Sequence, residues 1–355
     1  MKTLRLIFVV IVIAACLVPS VLMFCGYKNA NLENRPLAQM PKLFTDGSFN
    51  EEFTSRLDDY VEDRFALREY LVTAFNASDV ALLSDFNGTN AVIGKKNHIF
   101  YAETTDDHLG INQLTPGQID SIVNYLADIM AEVRSRGGKF AFMTAPNKAS
   151  IYPEYMPSRL YVTDAPRNID MLTAALKERG IPVIDAKAIL LEAKEERTVY
   201  YEHDSHWNNF GAMLVYNSIA EEFGLRRYDP RDYTVEYDRT GDLHNFVYPS
   251  TEYPEERIIY PLPDSYKSKR PINFDRDKEI ETTSEENELT LLVYHDSFGR
   301  SLQPILSTAV GRLSMNSYFP YKLDYIEELE PDLVLIELVE RNLDMLYEHA
   351  ASLGY

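Results

Sequence analysis

TLLVYHDSFGRSL (residues 290–302) runs from an apolar stretch through a serine into a segment able to form a helix, and the reading of the fold turns on it. TLLVY has the length and β-branched, apolar content of a buried strand. Ser297 follows almost directly, with Gly299 expected to ease the turn. A serine at that point projects from the carboxyl edge of a sheet. There, the first free N–H groups of the next helix can receive an oxyanion. The competing reading of such a serine is a simple helix N-cap.

Working outward, similar strands recur at KFAFMTA (139–145), IPVID (181–185), RLSMNSY (312–318) and DLVLIEL (332–338), with a short one at HIFYA (98–102). Helices are predicted between them. One is opened by the capping box Thr115-Pro116-Gly117-Gln118 and runs to about Arg136. Others fall near 166–179 and 208–223, from Arg300, near 321–329 and at the C-terminus. This alternation predicts an α/β fold whose mainly parallel sheet carries helices on both faces, with ligands at the carboxyl ends of its strands. Residues 225–288, polar and rich in Tyr, Pro and Asp, read as a long insertion.

Before the sheet, MKTLR carries two cations and Leu6 to Phe24 carries no charge. At ~1.5 Å per residue that run spans a hydrocarbon core. Lys2 and Arg5 favour the cytoplasmic side, which exports the rest. Residues 1–25 therefore read as an uncleaved membrane anchor, in preference to a cleaved signal peptide or a lipoprotein signal ending at Cys16. Residues 26–90 read as a connector and amphipathic helices. Ser48 and Glu51 suggest a capping box before a stripe of Phe49, Phe53, Leu57, Tyr60 and Val61. Residues 91–355 read as the catalytic domain. Both cysteines, Cys16 and Cys25, belong to the anchor, so the exported part has no disulfide and no thiolate zinc site. The net charge of −20 excludes nucleic acid as a partner through its phosphates.

His-Asp-Ser occurs twice, the first time in YYEHDSHWNNFGA (200–212). If that stretch is locally extended, Asp204 and His206 share a side and Ser205 turns away. Asp204 would then fix the tautomer of His206, and the other ring nitrogen would serve a nucleophile supplied by the second copy, Ser297. A metal set of His203, Asp204, His206 and His295 competes, but the spacing matches no common motif, so no metal is expected.

HDSHWNNFGA resembles the Asp-x-His-Trp signature of the alginate O-acetyltransferase group, AlgJ/AlgX type, of SGNH-hydrolase-like proteins, some of whose relatives carry a DHHW variant. ENRPLAQMP, YVEDRFALRE, IGKKNHIFY, APNKASIYPEYMP, YHDSFGRSL and ELVERNL each resemble stretches that recur in that order in the group. The resemblance implies an SGNH-like three-layer α/β/α domain with a triad of Asp204, His206 and Ser297. It also implies transfer of an acetyl group to a cell-envelope or secreted polysaccharide, with a membrane-bound O-acyltransferase as donor partner and no cofactor. Arg300, Asn342, Arg341, Lys148, Asn147 and His295 are candidates for the oxyanion or substrate site. The glycine that usually precedes the Asp-Ser pair in that group is His295 here. A carbohydrate esterase with the same triad and a non-catalytic envelope scaffold remain as alternatives.

Overall fold

The computed structural model describes residues 2–28, 37–45, 47–83, 90–161 and 165–355. These form two compact units, residues 1–88 with 244–253, and residues 89–243 with 254–355.

In the first unit, the helix Lys2–Phe24 contains a 20-residue stretch, Arg5–Phe24, long and apolar enough to cross a bilayer. Helices Phe53–Arg64 and Arg68–Leu83 follow. The expected capping box at Ser48 does not form. Ser48 pairs with Thr45 in a two-residue hairpin closed by the Phe44–Phe49 edge-to-face contact. The helix begins four residues later, after Glu52, whose amide donates to the Asn50 side chain. Asn50 thus forms a local turn just before the helix, which has no side-chain N-cap, and Phe49 stays exposed.

The second unit is built on a seven-stranded sheet. We label its strands β1 (Lys139–Ala145), β2 (Val183–Ile184), β3 (Tyr266–Ser268), β4 (Glu279–Ser284), β5 (Thr290–Tyr294), β6 (Arg312–Asn316) and β7 (Leu333–Val339). Their order is β2-β1-β7-β5-β6-β4-β3. The first five in that order are parallel, and β4 and β3 add an antiparallel edge. The period-2 alternation of each strand divides the core. Phe140, Phe142, Leu292, Tyr294, Val334 and Ile336 pack under the helices Pro116–Ser135, Asn168–Arg179 and Leu343–Ser352. Ala141, Met143, Leu291, Val293 and Leu335 face the opposite layer, which includes the helix Asn209–Phe223. The result is the three-layer α/β/α arrangement. The capping box of Thr115 and Gln118 forms as read.

Residues 225–288 are not a plain insertion. They supply β3 and β4 and a separate hairpin, Thr234–Arg239 with Glu255–Ile259. In β4 only Ile280 and Thr282 are buried, so an edge strand of sequence EIETTS has no apolar signature to find. Two tyrosines of this stretch tie it to the domain, Tyr228 through its hydroxyl to Thr308 and Tyr260 to the Pro230 carbonyl.

Candidate active site

Strands β1, β7 and β5 end side by side, and each delivers one part of the site. After β5, the chain makes a 3-10 turn, Phe298–Ser301, and then the five-residue helix Gln303–Ser307. Ser297 sits at the head of the turn, but its side chain caps no backbone N–H. Asp296 does that work: its Oδ1 accepts from the Phe298 amide at 2.9 Å and its Oδ2 from the Val339 amide at 2.6 Å. Gly299 has an ordinary φ, so it does not relax a turn as expected. A Cβ there would lie 2.6 Å from the Cβ of His295, so glycine is required by close packing.

Residues 200–207 form a bent loop closed by a bridge between Tyr200 and Trp207. Asp204 Oδ1 accepts from the His206 amide at 2.9 Å and lies 2.7 Å from His206 Nδ1. His206 Nε2 lies 2.8 Å from Ser297 Oγ. Asp204, His206 and Ser297 are therefore in continuous hydrogen-bond contact. Trp207 Nε1 donates to Ser301 Oγ at 2.6 Å and its ring meets Phe298 edge-on, tying the loop to the nucleophile turn.

Ser205 departs from expectation. The loop is a turn, not an extended strand, so Ser205 is not aimed away from His206. Its Oγ lies 3.2 Å from His206 Nδ1 and donates to Asp242 Oδ2 at 2.6 Å. His206 Nδ1 is already engaged by Asp204, so the imidazole does not serve Ser205 as its base.

Three charged residues that the sequence reading passed over hold this loop. Arg239 Nη2 donates to Asp204 Oδ2 at 2.7 Å. Asp242 accepts from both the amide and the hydroxyl of Ser205. Glu255 accepts from the amides of Glu202 and His203. All three come from the stretch read as an insertion. The available signal was Gly241: a Cβ there would sit 2.1 Å from the His203 carbonyl oxygen, so only glycine admits this approach.

Lys148 and Asn147, candidates for the oxyanion, lie at the end of β1 but are committed elsewhere. Lys148 is buried, and its Nζ donates to the carbonyls of Ile99, Glu202 and Asp204. Asn147 donates through its amide to Glu340 and through its side chain to Asp107. Lys148→Met strands three buried carbonyls and removes a buried charge among acids. We expect a stability loss of about 3–5 kcal/mol by denaturant titration. Unchanged stability with lost activity would place Lys148 in the chemistry instead. Arg300 is also engaged, with Asp275 and the Phe274 carbonyl. His295 directs Nδ1 to the Asp296 carbonyl at 2.6 Å, and burial holds its pKa down, so it stays neutral. Asn342 heads the helix Leu343–Ser352 without capping it. Arg341 remains available: its guanidinium stacks against Tyr101 and Phe298, and no hydrogen bond or ion pair holds it among the described residues.

The electrostatics suit a base. Burial alone would raise the pKa of Asp204, but the hydrogen bond and charge of His206, with Arg239, hold it far below the usual range. Burial depresses His206, and the bond and charge of Asp204, with Asp242, more than reverse this, so its pKa is raised above 6.5. Asp204, His206 and Asp242 bring ligand atoms within 4.8 Å of one another. Asp204 Oδ2 accepts from the Arg239 guanidinium and Asp242 Oδ2 from the Ser205 hydroxyl.

A serine, an imidazole and a carboxylate at the carboxyl edge of a mainly parallel sheet are shared by several serine-hydrolase folds, and the order Asp-x-His before Ser does not choose among them. Residues 91–293, more than half of the chain, match the family model described as "SGNH hydrolase-like domain, acetyltransferase AlgX", and the chain belongs to that family. It is 21% identical over 319 residues to a probable alginate O-acetylase AlgJ of Pseudomonas putida, covering 83% of this chain and 81% of that protein. Two solved structures share its fold. One is a DHHW family protein from Eubacterium siraeum (TM-score 0.55, 15% identity, 75% of this chain and 97% of that one). The other is Bacillus cereus PatB1 (TM-score 0.54, 17% identity, 73% and 97%).

Proposed function

We propose that the chain is an extracytoplasmic serine O-acetyltransferase acting on a cell-envelope or secreted polysaccharide, held at the membrane by its N-terminal helix. The observation that carries this reading is the unbroken set of contacts Asp204–His206–Ser297 at the carboxyl ends of parallel strands, with Ser297 free of any capping role. The family and the AlgJ relative supply the acetyl group and the polysaccharide. Ser297 Oγ attacks the acyl carbon of the donor while its proton passes to His206 Nε2. Arg341, whose guanidinium lies over the ring of Phe298 next to Ser297, is the candidate to answer the charge of the oxyanion. Collapse breaks the bond to the donor's oxygen, which leaves with the proton from His206. A sugar hydroxyl then repeats the sequence in reverse, giving up its proton to His206 and taking the acetyl from Ser297. The acyl donor is expected to be supplied by a membrane-bound O-acyltransferase, which the anchor keeps within reach.

Incubation with a chromogenic acetyl ester and an oligosaccharide, followed by mass spectrometry, tests the reading. Acetylated oligosaccharide in excess of free acetate is expected. Free acetate alone, at every acceptor concentration, would make the protein an esterase.

A further inference from the structure

We propose that Asp242 is a second carboxylate acting on His206, and that Asp242 and Arg239 together set the basicity of the imidazole that Asp204 orients. The inference rests on the reading of His206 as the base for Ser297. It concerns two positioning residues that the triad does not include.

The geometry begins with how Asp204 is shared. One of its oxygens faces the ring, and the other is held by the Arg239 guanidinium at 2.7 Å. A cation bound to a carboxylate cancels much of the field that the carboxylate projects beyond it. Asp204 thus fixes the tautomer strongly but stabilises the imidazolium less than an unpaired aspartate would. Asp242 supplies what is missing. Its Oδ2 lies 3.5 Å from His206 Nδ1, and the Ser205 hydroxyl lies beside both, 2.6 Å from the carboxylate and 3.2 Å from the ring nitrogen. Asp242 is fixed there by the Ser205 amide at 2.8 Å, and Gly241 before it presses against the His203 carbonyl. Its own amide points at Asp204 Oδ2, 3.4 Å away.

Three further charged groups lie close to the loop. Arg341 lies on the side of Phe298, whose ring centre is 4.8 Å from that of His206, and opposes protonation. Lys148 is spent on the carbonyl of Asp204 and its neighbours, and Glu255 on the amides of Glu202 and His203. Asp242 is left as the anion nearest the ring after Asp204, and Arg239 as the cation nearest Asp204. Removing the first should make His206 less basic. Removing the second should make it more basic.

These opposite signs give a test that a merely structural role would not reproduce. The full chain in detergent, carrying Ser297→Ala and labelled at its histidines, is titrated by NMR; the His206 signal is identified by its loss in His206→Gln. Asp242→Asn is expected to lower the His206 pKa by about one unit, and Arg239→Gln to raise it by a comparable amount. Ser205→Ala, which removes the bridge and keeps both charges, should move it less than Asp242→Asn does. In protein with Ser297 intact, the acid limb of kcat/KM should follow, to lower pH for Asp242→Asn and to higher pH for Arg239→Gln. Shifts of the same sign, or no shift in either variant, would overturn the proposal and leave both residues as loop braces. If Ser297→Ala retains acyl transfer, the triad reading fails whatever the titration gives. If it loses transfer and the signs are absent, only the present inference fails.

Discussion

Ser297→Ala is expected to lower acetyl transfer by roughly 10⁴–10⁶-fold and to leave the protein folded. The size follows from removal of the nucleophile while donor binding and the oxyanion site persist, the situation in which serine enzymes keep only residual catalysis. The small structural effect follows from the contacts. Ser297 Oγ is bonded to His206 Nε2 and caps nothing, because Asp296 takes the Phe298 amide. Loss of one such bond costs about 1 kcal/mol. Initial rates with a chromogenic ester, together with a melting curve, measure both quantities. A variant that retains more than a tenth of wild-type transfer while folded would remove Ser297 from the mechanism.

Asp204→Asn is expected to cost on the order of 10⁴ in rate, because an amide NH₂ can turn toward Nδ1 and favour the tautomer that cannot accept the serine proton. Unlike the serine change, this one should also destabilise. Asp204 is fully buried, accepts twice from His206, and is the partner of Arg239. Arg239, left without its partner, is partly exposed, so the cost is that of lost charged hydrogen bonds, about 1.5–3 kcal/mol. The rate must therefore be measured below the shifted melting point. A loss under tenfold in rate would mean that His206 holds its tautomer without Asp204.

Much of this site could be read from the chain because its key residues sit next to strong local signals. Ser297 follows a strand whose five residues are apolar but for one threonine, and the Asp204-x-His206 pair precedes a helix capped by Asn208. The supporting residues carry no such mark. Arg239, Asp242 and Glu255 lie 35–53 positions from the loop residues they bond, in a tract whose edge strands are short and charged. Charged residues in such a tract ordinarily signal solvent, and only the three-dimensional approach at Gly241 turns them inward. Lys148 misled for the same reason. Its burial depends on carbonyls of Ile99, Glu202 and Asp204, which no local pattern announces. The Ser48 box failed in the opposite way: the residue types fit, but an aromatic hairpin and Asn50 compete for the same backbone.

The central claim is that the acetyl group passes through Ser297. Its most direct test is to react the intact chain with the chromogenic acetyl ester without acceptor, quench in acid, and locate the adduct by peptide mass spectrometry. The account predicts one acetyl group, on Ser297, absent from Ser297→Ala and discharged when oligosaccharide is added before the quench. An acetyl group on Ser205, or full transfer with no adduct on Ser297 at any time, would contradict it.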